Sequence, residues 1–370
     1  MRILYLINGL NGGGAAFPIP SLVSVMHSAG HEVRVLAFMP QDGLAREPLE
    51  AAGIDYRIIG KNPSDIIGSV RNLINEIRIW KPDILWTSLT RATIFGQIAG
   101  RFCGVPVISW QHNAWLKPVN LAILKRSWRM TGRWIVDSDA VGDYAAKIIG
   151  IPRERISVWP IFMAKEREPK VRTPDGRFVI GSLGRLHRNK RYDFLLDVVA
   201  HIRDRHPHIH ECLTFIIAGE GPERPQLEEK ARALGLDNVH FPGFRRDAGA
   251  FLSEIDAYIQ PSRNEGMCLA AHEAMAAGLP VIASAVGQMR YTITPECGFL
   301  HDAGDAEGFA NSILTLARDR ARARAMGAAA YRRVIDCFGE ARFRATGLEL
   351  LASIEAGLKD RSPTPARAGA

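Results

Sequence analysis

Along the first 150 residues, short apolar runs alternate with stretches whose apolar positions recur every three or four residues. The runs RILYLIN (2–8), EVRVLAF (32–38), DILWTS (83–88), VPVISW (105–110) and RWIVDS (133–138) predict strands buried on both faces; a strand with one wet face would alternate instead. The periodic stretches near 19–29, 64–80, 91–103, 118–131 and 139–149 predict helices between them. Such alternation predicts a parallel sheet covered by helices on both faces. It pauses at MAKEREPKVRTPDG (163–176), which is charged, holds two prolines and lacks an apolar period, as a linker does. It then resumes, with strands at 177–184, 213–219, 256–262 and 280–284 and helices near 190–204, 223–235, 267–277 and 305–318. Helical stretches at 319–337 and 340–358 precede a polar tail.

The expected layout is α/β, with two doubly wound, Rossmann-like domains facing a central cleft. The first covers 1–162, a linker 163–176, and the second 177–340. A closing helix at 341–358 is then free to pack back on the first domain, and 359–370 reads as a disordered tail. In open parallel sheets, ligands bind beyond the carboxyl ends of the strands.

Composition changes this picture little. A chain of 370 residues suits two cores better than one. The formal net charge of +8 suits phosphorylated ligands, an anionic membrane surface or nucleic acid. The basic residues are spread and not striped, which argues against nucleic acid. Five scattered cysteines without a C-x-x-C read as reduced thiols of a cytoplasmic protein. The N-terminal apolar run passes directly into glycines, unlike a signal peptide. No apolar run reaches the ~18 residues of a membrane span, so any membrane contact is expected at the surface.

The chemistry concentrates in SRNEGMCLAAHEAMAAGLPVIAS (262–284). Glu265 and Glu273 lie eight positions apart, ~12 Å along a helix of ~1.5 Å rise per residue. A retaining hydrolase needs its carboxylates ~5 Å apart, so that reading fails. A loop entering a helix at Gly266 fits better, with Met267, Cys268 and Leu269 forming the first turn. Their free N–H groups would then make an anion site. Glu273, among small apolar residues, must be hydrogen-bonded. Either a neighbouring Arg or backbone N–H satisfies it, or the hydroxyls of a nucleotide ribose do. A second cluster, GSLGRLHRNKRYDF (181–194), ends a strand and carries Arg185 and Lys190, five apart, where both can face one phosphate.

These segments resemble known ones. GRLHRNK, AGEGPERPQLEEKARALGL, NVHFPGF and the E-x7-E of NEGMCLAAHE, in this order, resemble the GT-B glycosyltransferases of family GT4. GGG after the first strand and SLTRATIFGQIAGRFCGVPVISWQHN fit the same family, so the likeness covers nearly the whole chain. It implies retaining transfer of a hexosyl group from a UDP- or GDP-sugar to a glycan or lipid-linked acceptor, with no cofactor and no metal. It places Glu273 on the ribose and Glu265 on donor-sugar hydroxyls. Arg185, Lys190 and the N–H groups of Met267, Cys268 and Leu269 would face the diphosphate, with Gly266 entering the turn. Arg245 would meet the nucleobase, chiefly by backbone. Gly13 and Gly14 would let the backbone approach the phosphates, and His112 would lie near the reacting centre. Taken alone, His112 also reads as a satisfied core histidine.

Two departures touch the acceptor side: VWPIF (158–162), where the family often has an Asn-Gly turn, and Pro18 and Pro20 at the start of a helix. DSD (137–139) reads as a strand end and helix cap more readily than as a metal site. The histidines of 201–210 read as a solvated helix end. No Ser–His–Asp arrangement is evident. NLAILKRSWRMTGRW (120–134) reads either as a helix packed on the sheet or as a basic amphipathic helix lying on an anionic membrane surface, placing the protein peripherally at its inner face. A sugar-nucleotide epimerase of the same fold and a non-catalytic nucleotide-sugar-binding regulatory subunit are the rival functions. A dinucleotide-dependent oxidoreductase is disfavoured, since no G-x-G-x-x-G opens a helix after the first strand.

Overall fold

The computed structural model describes residues 1–11, 14–39, 41–62, 64–166 and 176–359. Most of the expected linker (167–175) and the tail beyond Lys359 lie outside the described residues. The chain forms two compact units, Met1–Met163 with the segment from Ala341 onward, and Ala164–Glu340.

The first unit holds β1 (Arg2–Ile7), β2 (Glu32–Ala37), β3 (Tyr56–Ile58), β4 (Ile84–Ser88), β5 (Val107–Gln111), β6 (Arg133–Val136) and β7 (Ile156–Val158). They build one parallel sheet in the order β3-β2-β1-β4-β5-β6-β7. The second unit holds β8 (Phe178–Leu183), β9 (Leu213–Ala218), β10 (Val239–Gly243), β11 (Ala257–Gln260), β12 (Val281–Ser284) and β13 (Gly298–His301). Their order is β10-β9-β8-β11-β12-β13, again parallel. Each sheet reverses its winding once, between β1 and β4 and between β8 and β11. In doubly wound sheets that switch point is where ligands bind. Each unit is thus a doubly wound, Rossmann-like α/β domain.

Apolar runs make the central strands because helices cover both faces. β1, β4 and β5 are buried almost throughout. The four strands that periodicity does not predict are β3, β7, β10 and β13, and these are the four sheet edges. An edge strand is short and half covered, so it carries no continuous apolar run. β10 even holds Pro242, tolerated because an edge need not donate on its outer side.

The last helix, Glu340–Lys359, packs within the first unit from Ala341 onward. Trp159 Nε1 donates to the Phe343 carbonyl at 3.1 Å. A Cβ on Gly347 would lie 2.4 Å from the Trp159 ring, so glycine permits the close approach. Trp159 stacks on Trp110 at 5.2 Å, and both meet Trp86 edge-on.

Pro18 and Pro20 do not delay the first helix, Ile19–Ser28, because proline suits a first turn. The stretch 120–134 is corrected: it is not one amphipathic helix. It comprises the end of a helix (Pro118–Ser127), a 3-10 turn (Trp128–Met130) and the start of β6. Leu124, Trp128 and Trp134 are buried in the unit's own core, which removes them from any lipid-facing surface. Among the described residues no helix is long and apolar enough to cross a membrane.

Candidate active site

In the second unit, the loops leaving β8 and β11 meet at the switch point. The β8 loop is held first against the β9 loop. Leu186 N donates to the Glu220 carbonyl at 2.9 Å, and Gly184 N to the Ala218 carbonyl at 3.0 Å. A Cβ on Gly219 would lie 1.9 Å from the Gly184 carbonyl oxygen, so only glycine brings these backbones together. The β8 loop is then tied to the β11 loop. Arg263 N donates to the Asn189 carbonyl at 2.8 Å, and Asn189 Nδ2 to the Asn264 carbonyl at 2.6 Å.

This pinning brings Lys190 to Glu265. Lys190 Nζ donates to Glu265 Oε1 at 2.8 Å, and Ser262 Oγ donates to the same oxygen at 2.6 Å. Gln260 Nε2 donates to Ser262 Oγ, and the Tyr258 hydroxyl to Gln260 Oε1, both at 2.8 Å. Residues 258, 260 and 262 share one side because strand side chains alternate. A buried polar chain therefore runs from β11 to the Glu265 carboxylate. Burial would lower the Lys190 pKa, but the Glu265 carboxylate outweighs it and holds the ammonium well above the ordinary lysine range. Sequence reasoning assigned Lys190 to a diphosphate alone; the structure gives it Glu265 as a standing partner.

The following helix is Leu269–Ala276, with Cys268 as its N-cap. The helix thus starts later than 267, and Met267 is buried ahead of it. Cys268 has φ 58°, in the left-handed region. That conformation costs a non-glycine residue about 1–2 kcal/mol. Burial, then the Glu265 carboxylate, push the Cys268 thiol up to about 12, so it is a thiol and not a thiolate. Among the described residues, the N–H groups of Met267, Cys268 and Leu269 donate to nothing. They sit at the positive end of the helix dipole.

Glu273 lies on the same helix and is half buried. Among the described residues its carboxylate has no hydrogen bond and no ion pair, and burial raises its pKa above the ordinary carboxylate range. The structural partner that the bland reading requires is not among them. Its neighbour His272 differs: Nδ1 faces the Cys268 carbonyl at 3.0 Å and Nε2 faces Thr292 Oγ1 at 3.1 Å. A ring nitrogen facing a carbonyl must carry the proton, so Nε2 accepts. Burial pushes His272 down to about 4, and it is neutral. Arg185 is exposed and bonds to no described residue. The Arg245 side chain is paired with Glu254, which leaves its backbone for any ligand.

In the first unit, Gly13 lies outside the described residues, and Gly14 is exposed in a turn. At the β1/β4 switch point, Asn8 Oδ1 accepts from Ala92 N at 2.8 Å. His112, just beyond β5, is buried. Its Nε2 lies 2.8 Å from Ser88 Oγ, and its Nδ1 lies 2.9 Å from each oxygen of Asp137. The expectation that no Ser–His–Asp arrangement exists is therefore overturned. Ser138 does cap the next helix, accepting from Val141 N at 3.3 Å, as the DSD reading holds.

Two family models match consecutive stretches of the chain. Glycosyltransferase Family 4 matches 12–167, and Glycosyl transferases group 1 matches 164–333. The chain is a glycosyltransferase, matched over 12–333 by these two models in turn. Among its relatives is the lipopolysaccharide core biosynthesis glycosyltransferase LpsD of Rhizobium meliloti (strain 1021), 26% identical over 87% of this chain and 89% of the relative. Another is the phosphatidyl-myo-inositol mannosyltransferase of Mycobacterium leprae (strain TN), 29% identical over 87% and 89%. Among solved structures, Anabaena Alr3699/HepE in complex with UDP-glucose superposes with TM-score 0.83 at 21% identity, covering 95% of this chain and all of that one. Sequence reasoning on this glycosyltransferase missed Ser88, Asp137, Gln260 and Ser262. Their shared signal is position, at or just past the carboxyl end of a strand.

Proposed function

We propose that this glycosyltransferase moves a hexosyl group from a UDP-sugar to a glycan or lipid-linked acceptor, with retention of configuration and without a metal ion. The observation that carries the donor assignment is Glu273: a half-buried carboxylate without a partner among the described residues. A ribose supplies two hydroxyl donors to such a group. Breaking a sugar–phosphate bond leaves charge on the diphosphate. Lys190, Arg185 and the N–H groups of Met267, Cys268 and Leu269 can stabilise that charge as it develops. Glu265, fixed by Lys190 and Ser262, is left to orient sugar hydroxyls through its second oxygen. The choice of UDP over GDP is supported by the HepE complexes with UDP and UDP-glucose. Retention follows from the family resemblance.

Slow transfer of glucose from UDP-glucose to water tests this. Proton NMR in the first minutes, before mutarotation, is expected to show α-glucose, with EDTA present. β-Glucose would contradict retention. A changed sugar nucleotide without free glucose would favour the epimerase.

Contact with an anionic membrane surface is proposed from a smaller patch than 120–134. Trp115, Val119 and Ile123 are exposed at spacings of four, among exposed Lys117, Lys125 and Arg126. The protein is expected to sediment with anionic vesicles at low salt, and less so after Ile123→Glu. Failure of the wild type to sediment sinks the idea.

A further inference from the structure

The polar chain behind Glu265 has a direction, and the carboxylate at its end fixes it. Tyr258, Gln260 and Ser262 are completely buried. Glu265 is ion-paired with Lys190 and is a carboxylate, so its Oε1 can only accept. Ser262 Oγ, 2.6 Å away, must therefore direct its one proton at that oxygen. Its other neighbour, Gln260, then has to donate. This places the amide nitrogen against Ser262 and turns the amide oxygen to the Tyr258 hydroxyl, both at 2.8 Å. The amide oxygen needs a proton, so Tyr258 donates to it and not to the Leu183 carbonyl at 3.1 Å. The Leu183 N–H, 3.3 Å from the Tyr258 hydroxyl, supplies the far end. Every donor thus points the same way, from the last residue of β8 to the carboxylate.

Ser262 and Lys190 both donate to Glu265 Oε1. Among the described residues Oε2 accepts nothing, and the side chain keeps 12% exposure. One oxygen is anchored and the other is open. Buried hydrogen bonds of this kind give the fold little that apolar groups of the same shape would not. What they set is the direction of the Ser262 proton, and with it the rotation of the carboxylate.

We propose that Gln260 is a positioning residue for sugar transfer: by donating to Ser262 it keeps the Ser262 proton on Glu265 Oε1, so that Oε2 stays turned to hydroxyls of the donor sugar. Tyr258 holds the Gln260 amide in the orientation that does this. With the amide reversed, Ser262 would donate to Gln260 and face Oε1 lone pair to lone pair, leaving Lys190 alone to hold the carboxylate. The sugar part of this proposal rests on the donor assignment made above; the direction of the chain does not.

Gln260 acts through Ser262, so its effect should vanish once the Ser262 hydroxyl is gone. Gln260→Met keeps the volume and strands no donor, because the Tyr258 hydroxyl can turn to the Leu183 carbonyl. With UDP-glucose, Ser262→Ala is expected to lower kcat about 10-fold or more, the effect of one hydrogen bond to a charged group. Gln260→Met is expected to lower it about 3- to 10-fold, the effect of one between neutral groups. The double variant is expected to match Ser262→Ala alone. Calorimetric affinity for UDP, which lacks the transferred sugar, is expected to stay within a few-fold in all three.

Losses in kcat that multiply in the double variant overturn the proposal, because Gln260 would then act independently of Ser262. An unchanged kcat in Gln260→Met overturns it too, as does an equal loss of UDP affinity, the mark of a general disturbance of the fold. Neutron diffraction from deuterium-exchanged crystals of the wild type reads the chain itself and needs neither activity nor a variant that folds. It is expected to show the Ser262 deuteron between Oγ and Glu265 Oε1, with the deuterated amide nitrogen of Gln260 facing Ser262. A Ser262 deuteron directed at Gln260 overturns the proposal. A wild type that does not turn over UDP-glucose sinks the donor assignment instead, and the deuteron positions then decide whether Gln260 orients Ser262.

Discussion

Glu273→Gln is expected to unfold at a higher temperature than the wild type at pH 7, while binding nucleotide more weakly. Two opposite effects from one substitution follow from an uncompensated carboxylate. Burial raises its pKa in the folded chain above the unfolded value. An acid with a raised folded pKa costs stability above that pKa, and the cost disappears below the unfolded pKa of about 4.3. The advantage of Gln should therefore shrink to nothing as the pH falls through the carboxylate range. Thermal unfolding at pH 7 and pH 4 measures this. A hydrogen bond to a charged group contributes about 1.5–3 kcal/mol, so the lost ribose contact should weaken binding roughly 10- to 150-fold. A Glu273→Gln protein less stable than wild type at pH 7 would mean that the carboxylate has a structural partner.

Lys190→Met should lower kcat/KM for the donor by about 10²–10³-fold, the usual effect of removing one group that stabilises developing charge. It should also destabilise the fold, because Glu265 would be left largely buried and unpaired. Breaking a fully buried ion pair costs about 3–5 kcal/mol. Here the side chains keep 20% and 12% exposure, which places the loss toward the lower end. The double variant Lys190→Met with Glu265→Gln separates the two effects. It should recover much of the stability, because no charge is stranded, and none of the activity. Urea unfolding and donor turnover on the four proteins of the cycle make the comparison. Additive stability losses would show that the 2.8 Å contact carries no coupling.

The central strands were legible in the sequence because both of their faces are covered. β1 and β4 show this most plainly, with every residue but Arg2 buried. The edge strands β3, β7, β10 and β13 were not, for the converse reason. The stretch 120–134 shows another limit of periodicity: a helix, a turn and a strand in succession can mimic one amphipathic helix. In the site, the E-x7-E pair and the Arg185–Lys190 loop were legible because each lies within one strand–loop–helix crossing. That Lys190 meets Glu265, 75 residues away, depends on β8 and β11 being neighbours, which is a property of sheet order. The same holds for His112, 24 residues from Ser88 and 25 from Asp137. Each of these three residues looks like an ordinary strand end until the sheet is assembled.

The central claim is that the second unit holds a nucleotide diphosphate through Glu273, Lys190 and the start of one helix. Calorimetric titration of UDP into the wild type and Glu273→Ala, in EDTA, tests it most directly. The account predicts that the wild type binds UDP without a divalent cation and that Glu273→Ala binds it at least 10-fold more weakly, by the same hydrogen-bond reasoning. Equal affinity in the two proteins, or no UDP binding by the wild type, would contradict it.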